Sequence, residues 1–198
     1  MHIPLLFVTM IAHLVYFSPQ EYLELEHNSN IRHEYQQGLV YAMTGGSDDH
    51  DELTLNFLEL MRQQVRNQGC SVRSGNVKVN YADDFFYYPD AFVTCDPRDR
   101  EDRYIKRYPK LIVEVLSPST ETFDRGTKFT NYKKLATLEE YVLVSQDQME
   151  VECRRAQGEL WETVIYRQGE QVELVSIGLR FPIEVLYRGV SWGEESWF

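Results

Sequence analysis

Apolar and polar positions follow two periods along this chain, and the switches between them mark out its elements. Leu53, Phe57, Leu58, Met61 and Val65 recur at helical spacing, opened by Ser47-Asp48-Asp49 and closed by Gly69. A shorter helix is predicted from residue 18 to about 27, because Ser18-Pro19-Gln20-Glu21 reads as a capping box with Pro at the first helical position. Residues 31–36 and 39–43 read as a hairpin turned at Gly38, and β-rich runs follow at 71–73, 77–81 and 88–95. The run 111–116 is apolar except at Glu114, the pattern of a central strand covered on both faces. Ser117-Pro118-Ser119-Thr120 breaks it, a helix is predicted from about 122 to 135, and 141–145 is a further buried strand. Residues 149–155 and 160–166 form an expected hairpin turned at Gly158, with strands near 172–175 and 181–185 to finish. The stretch 96–107 has no period and reads as a charged loop. With no repeat, low-complexity tract or linker, residues 18–198 are expected to make one mixed-sheet α/β or α+β domain.

Residues 1–17 stand apart. They are apolar but interrupted by His2, Pro4 and His13, and no Lys or Arg precedes Arg32. A secretory signal needs a positive start and a small-residue cleavage site, and a spanning helix needs a longer run. An extension or β-like arm is expected instead, with Met10 as a candidate start, and no other segment reads as membrane-spanning.

Length and composition change this picture little: 198 residues suit one domain, and 43% hydrophobic with 26% charged residues is ordinary. The net charge of −11 changes it more. A protein that grips nucleic acid by its phosphates carries a basic footprint, so any such contact here must be local, metal-assisted or helped by a partner. Cys70, Cys95 and Cys153 are odd in number and far apart, and read as reduced, buried thiols of a cytoplasmic protein.

Four residues carry candidate chemistry. Glu114 is an ionisable group inside an oily strand, costly to bury unless a metal, Lys or Arg compensates it. Asp90, after Pro89 and before Ala91-Phe92-Val93, opens another apolar strand. Carboxylates from neighbouring strands can converge into a hard oxygen site for Mg²⁺ or Mn²⁺. Lys128 lies on the following helix, where its ammonium can reach the Glu114 strand. Glu34, in an early strand, supplies a possible third acid. Each also has an ordinary role, Asp90 in a turn, Lys128 on a solvated face, Glu34 paired with Arg32 or His33. No Gly-rich phosphate loop or Ser-His-Asp arrangement is visible.

The motifs go further. Ser18-Pro19-Gln20-Glu21-Tyr22-Leu23, Ile31-Arg32-His33-Glu34-Tyr35, Ala42-Met43-Thr44-Gly45-Gly46-Ser47 with His50, Tyr88-Pro89-Asp90-Ala91-Phe92-Val93, Ile112-Val113-Glu114-Val115-Leu116-Ser117-Pro118-Ser119-Thr120, and Asp124-Arg125-Gly126-Thr127-Lys128 with Tyr132 occur in this order. Together with Glu140-Tyr141-Val142-Leu143-Val144 they span about residues 18 to 190, and the chain resembles the Uma-two family of the PD-(D/E)XK restriction-endonuclease-like superfamily. The resemblance implies a mixed β-sheet flanked by helices and Mg²⁺-dependent cleavage of nucleic acid, DNA in the first instance, by a homodimer. It implies Asp90 and Glu114 as metal ligands, Glu34 as a further acid and Lys128 as the catalytic lysine. Two departures are visible: Leu116 stands where the superfamily motif has Lys, and Asn76 where relatives commonly carry Asp. His50 is expected to serve the helix start rather than to contact phosphate. The alternative expectation is a catalytically weak or inactive interaction module on the same fold.

Overall fold

The computed structural model describes residues 15–191, so the expected arm lies outside the described residues as far as residue 14. Helix α1 (Pro19–Asn28) begins where its capping box predicts: Ser18 Oγ accepts from the Glu21 amide, and the Glu21 carboxylate accepts from the Ser18 amide. Strands β1 (His33–Gln36) and β2 (Leu39–Ala42) form an antiparallel hairpin. Gln37 and Gly38 both take positive φ, as a two-residue turn between right-twisted strands requires. Helix α2 (Asp48–Val65) is capped by Ser47 and buries Leu53, Phe57, Met61 and Val65. Strands β3 (Ser71–Ser74), β4 (Lys78–Tyr81), β5 (Phe85–Tyr87), β6 (Ala91–Thr94), β7 (Ile105–Lys106) and β8 (Pro109–Leu116) follow. The chain then runs through α3 (Glu121–Phe123), a π-helical turn (Asp124–Lys128) and α4 (Phe129–Tyr132) to β9 (Glu140–Ser145). The hairpin of β10 (Glu150–Gln157) and β11 (Leu160–Arg167) precedes a ribbon of β12 (Gln171–Leu174) and β13 (Leu179–Pro182), and α5 (Ile183–Leu186) completes the described elements.

The mixed α+β class is as expected, but the strands divide between two larger sheets and a ribbon. One sheet has the order β11-β10-β9-β8-β6-β3, the other β2-β1-β5-β4-β7. Within the first, β8 and β9 pair in parallel, which demands a crossover; the α3–α4 segment supplies it. Strand β8 is covered on both faces. Leu111, Val113 and Val115 join the core under α2, while Ile112 and Leu116 join a second core with Tyr132 and Tyr141. Alternation places Glu114 on that second face, under the crossover.

The chain leaves one sheet for the other at Tyr88-Pro89: β5 ends in the five-stranded sheet and β6 begins in the six-stranded one. The run 88–95, expected as a strand, is one only from Ala91 to Thr94, after a residue with no N–H to give a ladder, and β5 before it was not expected. The helix expected over 122–135 is also interrupted, by the π-turn. In the stretch 96–107, expected as a plain loop, a 3-10 turn (Pro97–Arg100) and β7 form around buried Asp99, which accepts from Thr94 Oγ1 and the Arg107 and Tyr108 amides. The strand expected over 181–185 stops at Pro182, and its last residues are helical.

Cys70 and Cys95, expected as reduced thiols, form a disulfide. Ser71 lies opposite Thr94 in the antiparallel β3–β6 pair, so the residues one step beyond face each other with Cα atoms 4.0 Å apart. Cys153 is free and buried, as expected. Among the described residues no helix is long and apolar enough to cross a membrane.

Candidate active site

Glu34, Asp90, Glu114 and Lys128 all line one cleft of about 950 Å³. Lys128 Nζ lies 3.0 Å from Glu114 Oε1, 3.2 Å from Glu34 Oε1 and 3.5 Å from Asp124 Oδ1. Asp90 sits beside this group: its Oδ2 accepts from the Val115 amide at 2.7 Å, and its Oδ1 faces His50 Nε2 at 3.1 Å. The Tyr132 hydroxyl donates to Glu114 Oε1 at 3.1 Å. The acids thus do surround a cation, and it is the lysine's own ammonium.

The sheet crossing explains why these tips meet. Either side of Pro89 the backbone has left one ladder and has not yet joined the next, so its amides need other partners. Tyr88 N donates to Glu34 Oε1 at 2.8 Å, and Asp90 N points at Glu114 Oε2 at 3.4 Å. One carboxylate from each sheet is tethered at the same crossing. Lys128 reaches them from above because the crossover packs on the Glu114 face of β8. Asp124 and Lys128, four apart and so on one face of the segment, both point inward and are buried, within a π-turn.

The charges do not balance. Burial raises the Glu114 pKa well above the ordinary carboxylate range; Lys128 opposes this, but Asp124, Asp90 and Glu34 add to the rise. Burial likewise raises Asp124, against the pull of Lys128. Burial acts to lower the Lys128 pKa, yet attraction to Glu114, Glu34 and Asp124 outweighs it and the net shift is well upward. For the Glu114–Lys128 pair the direction is set by number: several acids compete for one ammonium, so the lysine stays charged and the acids do not all ionise. Burial is the largest influence on His50 and lowers its pKa, but Asp90, Asp124 and Asp51 together outweigh it, and the net shift is above the usual value.

A hard divalent cation fits this donor set in kind, since every acid offers oxygen and negative charge is in excess. The arrangement is not a finished cage. Among the described residues no three His, Cys, Asp or Glu side chains are spaced to hold an ion, because Glu34, Glu114 and Asp124 turn to Lys128 while Asp90 turns to Val115 and His50.

Comparison with known proteins agrees with the fold and the motifs. A family model, Uma2, described as "Putative restriction endonuclease", matches residues 19–184. The chain belongs to the Uma2 family. An "Uncharacterized protein slr1290" of Synechocystis is 39% identical to this Uma2 protein, over 88% of this chain and 93% of its own. A second Synechocystis protein, "Uncharacterized protein sll1609", is 28% identical over 78% of this chain and 89% of its own. A crystal structure of "a putative nuclease belonging to DUF820" from Anabaena variabilis superposes with a TM-score of 0.73 at 18% identity. It covers 86% of this chain and 97% of that one, and so shares the fold.

Three further residues of this Uma2 site were not singled out as catalytic in the sequence. Asp124 and Tyr132 lie in the motif that carries Lys128, but neither has the apolar flanks that expose Glu114. His50 does serve the helix start, its amide donating to Ser47 Oγ, and its ring also holds Asp90. The ring packs so near Gly46 that a Cβ there would come within 3.0 Å of it, and its Nδ1 is buried without a hydrogen-bond partner among the described residues. The two departures resolve differently. Leu116 is buried with Ile112 and Tyr132 in the second core, so the motif's lysine position is a packing position here. Asn76 lies in the β3–β4 turn, where its Oδ1 accepts from Arg32 at 2.8 Å, and it does not line the cleft.

Proposed function

We propose that this cleft hydrolyses phosphodiester bonds of nucleic acid, DNA in the first instance, by the PD-(D/E)XK arrangement. Asp90 and Glu114 would hold Mg²⁺ or Mn²⁺, with Glu34 as a further ligand. The ion, when bound, supplies acidified water and neutralises charge on phosphate oxygens. Lys128 holds a phosphate oxygen or orients water, a role suited to a charged ammonium in a water-poor site. Asp90 is held by the Val115 amide and His50, and Tyr132 steadies Glu114. The observation that carries this reading is the convergence in one cleft of an acid from the sheet crossing, an acid from an oily strand and a lysine from the crossover. The family's description agrees with it.

A second reading keeps the fold without catalysis, as an interaction module. It draws on Lys128, which already pairs with three carboxylates, and on the net charge of −11. One experiment separates the two. Purified protein is assayed with Mg²⁺ or Mn²⁺ on plasmid and oligonucleotide substrates beside Asp90→Ala and Lys128→Ala, and Mn²⁺ binding is titrated by calorimetry. Cleavage and Mn²⁺ heat that both disappear with Asp90→Ala support the enzyme. Equal nicking in all three proteins marks contamination, and with no carboxylate-dependent Mn²⁺ binding it leaves the module.

A further inference from the structure

We infer that the cleft takes a single nucleic-acid strand, with Tyr41 as the platform on which a base stacks. The inference rests on the phosphodiesterase reading and narrows its substrate. Tyr41 lies directly opposite Glu34 in the β1–β2 register, so the two side chains share one face of the hairpin. The ring therefore stands beside a site carboxylate, on the edge strand of its sheet, and it is 48% exposed within the cleft.

The cleft lining supplies the second argument. A protein that binds duplex DNA neutralises phosphates with Lys and Arg. Among the described residues that line this cleft, Lys128 is the one Lys or Arg, and it sits at the floor beside Glu34, Glu114 and Asp124, so the wall has no row of basic side chains to track a duplex backbone. The remaining wall offers neutral hydroxyls, from Ser117, Ser119 and Thr120, and apolar surface from Met43 and Phe123. Stacking on an aromatic ring adds affinity that does not come from phosphate charge and tolerates any base, and a free strand offers its base faces to the ring where paired, stacked bases do not. Hydroxyls can bind sugar and phosphate without a net positive charge.

Depth supplies the third. Glu114 and Lys128 are only 3% and 5% exposed, so the scissile phosphate must descend to the floor of the cleft. A volume of about 950 Å³ is of the size that encloses a small ligand, hence one or two nucleotides. A duplex is a stiff rod broader than such a cleft, so its phosphates stay near the rim, whereas a flexible free strand can bend one of its phosphates down to the floor.

The test is fluorescence anisotropy with a labelled 12-nucleotide strand, as DNA and as RNA, against the matching duplexes. Binding is read in EDTA and again in Ca²⁺, so that it is measured apart from hydrolysis. A single strand is expected to bind at least about ten-fold tighter than its duplex. Tyr41→Ala is expected to weaken strand binding about ten-fold, and Tyr41→Trp to retain it. The DNA and RNA arms say which strand is preferred. Equal affinity for strand and duplex, no binding of either, or an unchanged Tyr41→Ala overturns the inference. Tyr41-dependent strand binding without Asp90-dependent cleavage overturns the enzyme reading alone, whereas Asp90-dependent cleavage with no strand preference overturns this inference alone.

Discussion

Glu114 was legible because its neighbours announce burial, and a lone acid in an oily strand demands a partner. Lys128 was a candidate through its place on the segment after that strand and its motif, whereas Asp124 was not singled out, since charged residues on a helical segment ordinarily face water. What they share is a site in which each charge is tolerated only because of the others. Removing the lysine alone should therefore be expensive. Lys128→Met is expected to destabilise the fold by about 3–5 kcal/mol, because Glu34, Glu114 and Asp124 lose their common cation. Adding Glu114→Gln to Lys128→Met should recover part of that loss, read as a coupling energy from urea unfolding of the two single variants and the double. Strict additivity would show that the ammonium and Glu114 do not depend on each other.

At the level of elements, most of the pattern was sound. The capping box, the Gln37-Gly38 turn and the α2 stripe all lie where local chemistry puts them, because each is decided by residues a few positions apart. Some misses are places where a distant element intervened, the change of sheet at Pro89 and the Cys70–Cys95 bond, while the π-turn, the Asp99-centred loop and the helical end of the strand expected over 181–185 are local departures. The disulfide closes a loop with a sequence separation of 25, and loop-closure entropy assigns such a crosslink roughly 3 kcal/mol. The Cys70→Ser/Cys95→Ser double variant should accordingly unfold at clearly lower urea than the parent protein without reductant. Adding reductant should erase the difference. A midpoint that does not move would mean that β3 and β6 are held by their ladder and by packing under α2 without the bond.

For the whole molecule, the net charge of −11 sits uneasily with a nucleic-acid substrate until the cleft is seen. Many basic side chains are already engaged: Arg125 and Arg154 with Glu152, Arg155 with Glu140, Arg107 with Asp102. In the cleft itself Lys128 is the one Lys or Arg among the described lining residues, so few counterions are displaced from a strand bound there. Binding to a single strand should thus depend weakly on salt, with a log–log slope of about −1, where six to ten phosphate contacts would give a far steeper one. Anisotropy titrations across a salt series measure it. A steep slope would reveal a basic surface doing the binding outside the cleft.

Near neighbours along the chain were enough for the class of fold and most of the helices and hairpins, and they pointed to Glu34, Asp90, Glu114 and Lys128 as candidates, which do line one cleft. The sequence by itself could do this much because periodicity, capping and the cost of burying a charge are written in near neighbours and in motifs. Tertiary structure alone decided that a proline would carry the chain between two sheets, that the orphaned amides there would fix one acid from each, and that Asp124, Tyr132 and His50 would complete the group. Those outcomes depend on which strands lie side by side, and strand order is set by packing between segments far apart in the chain.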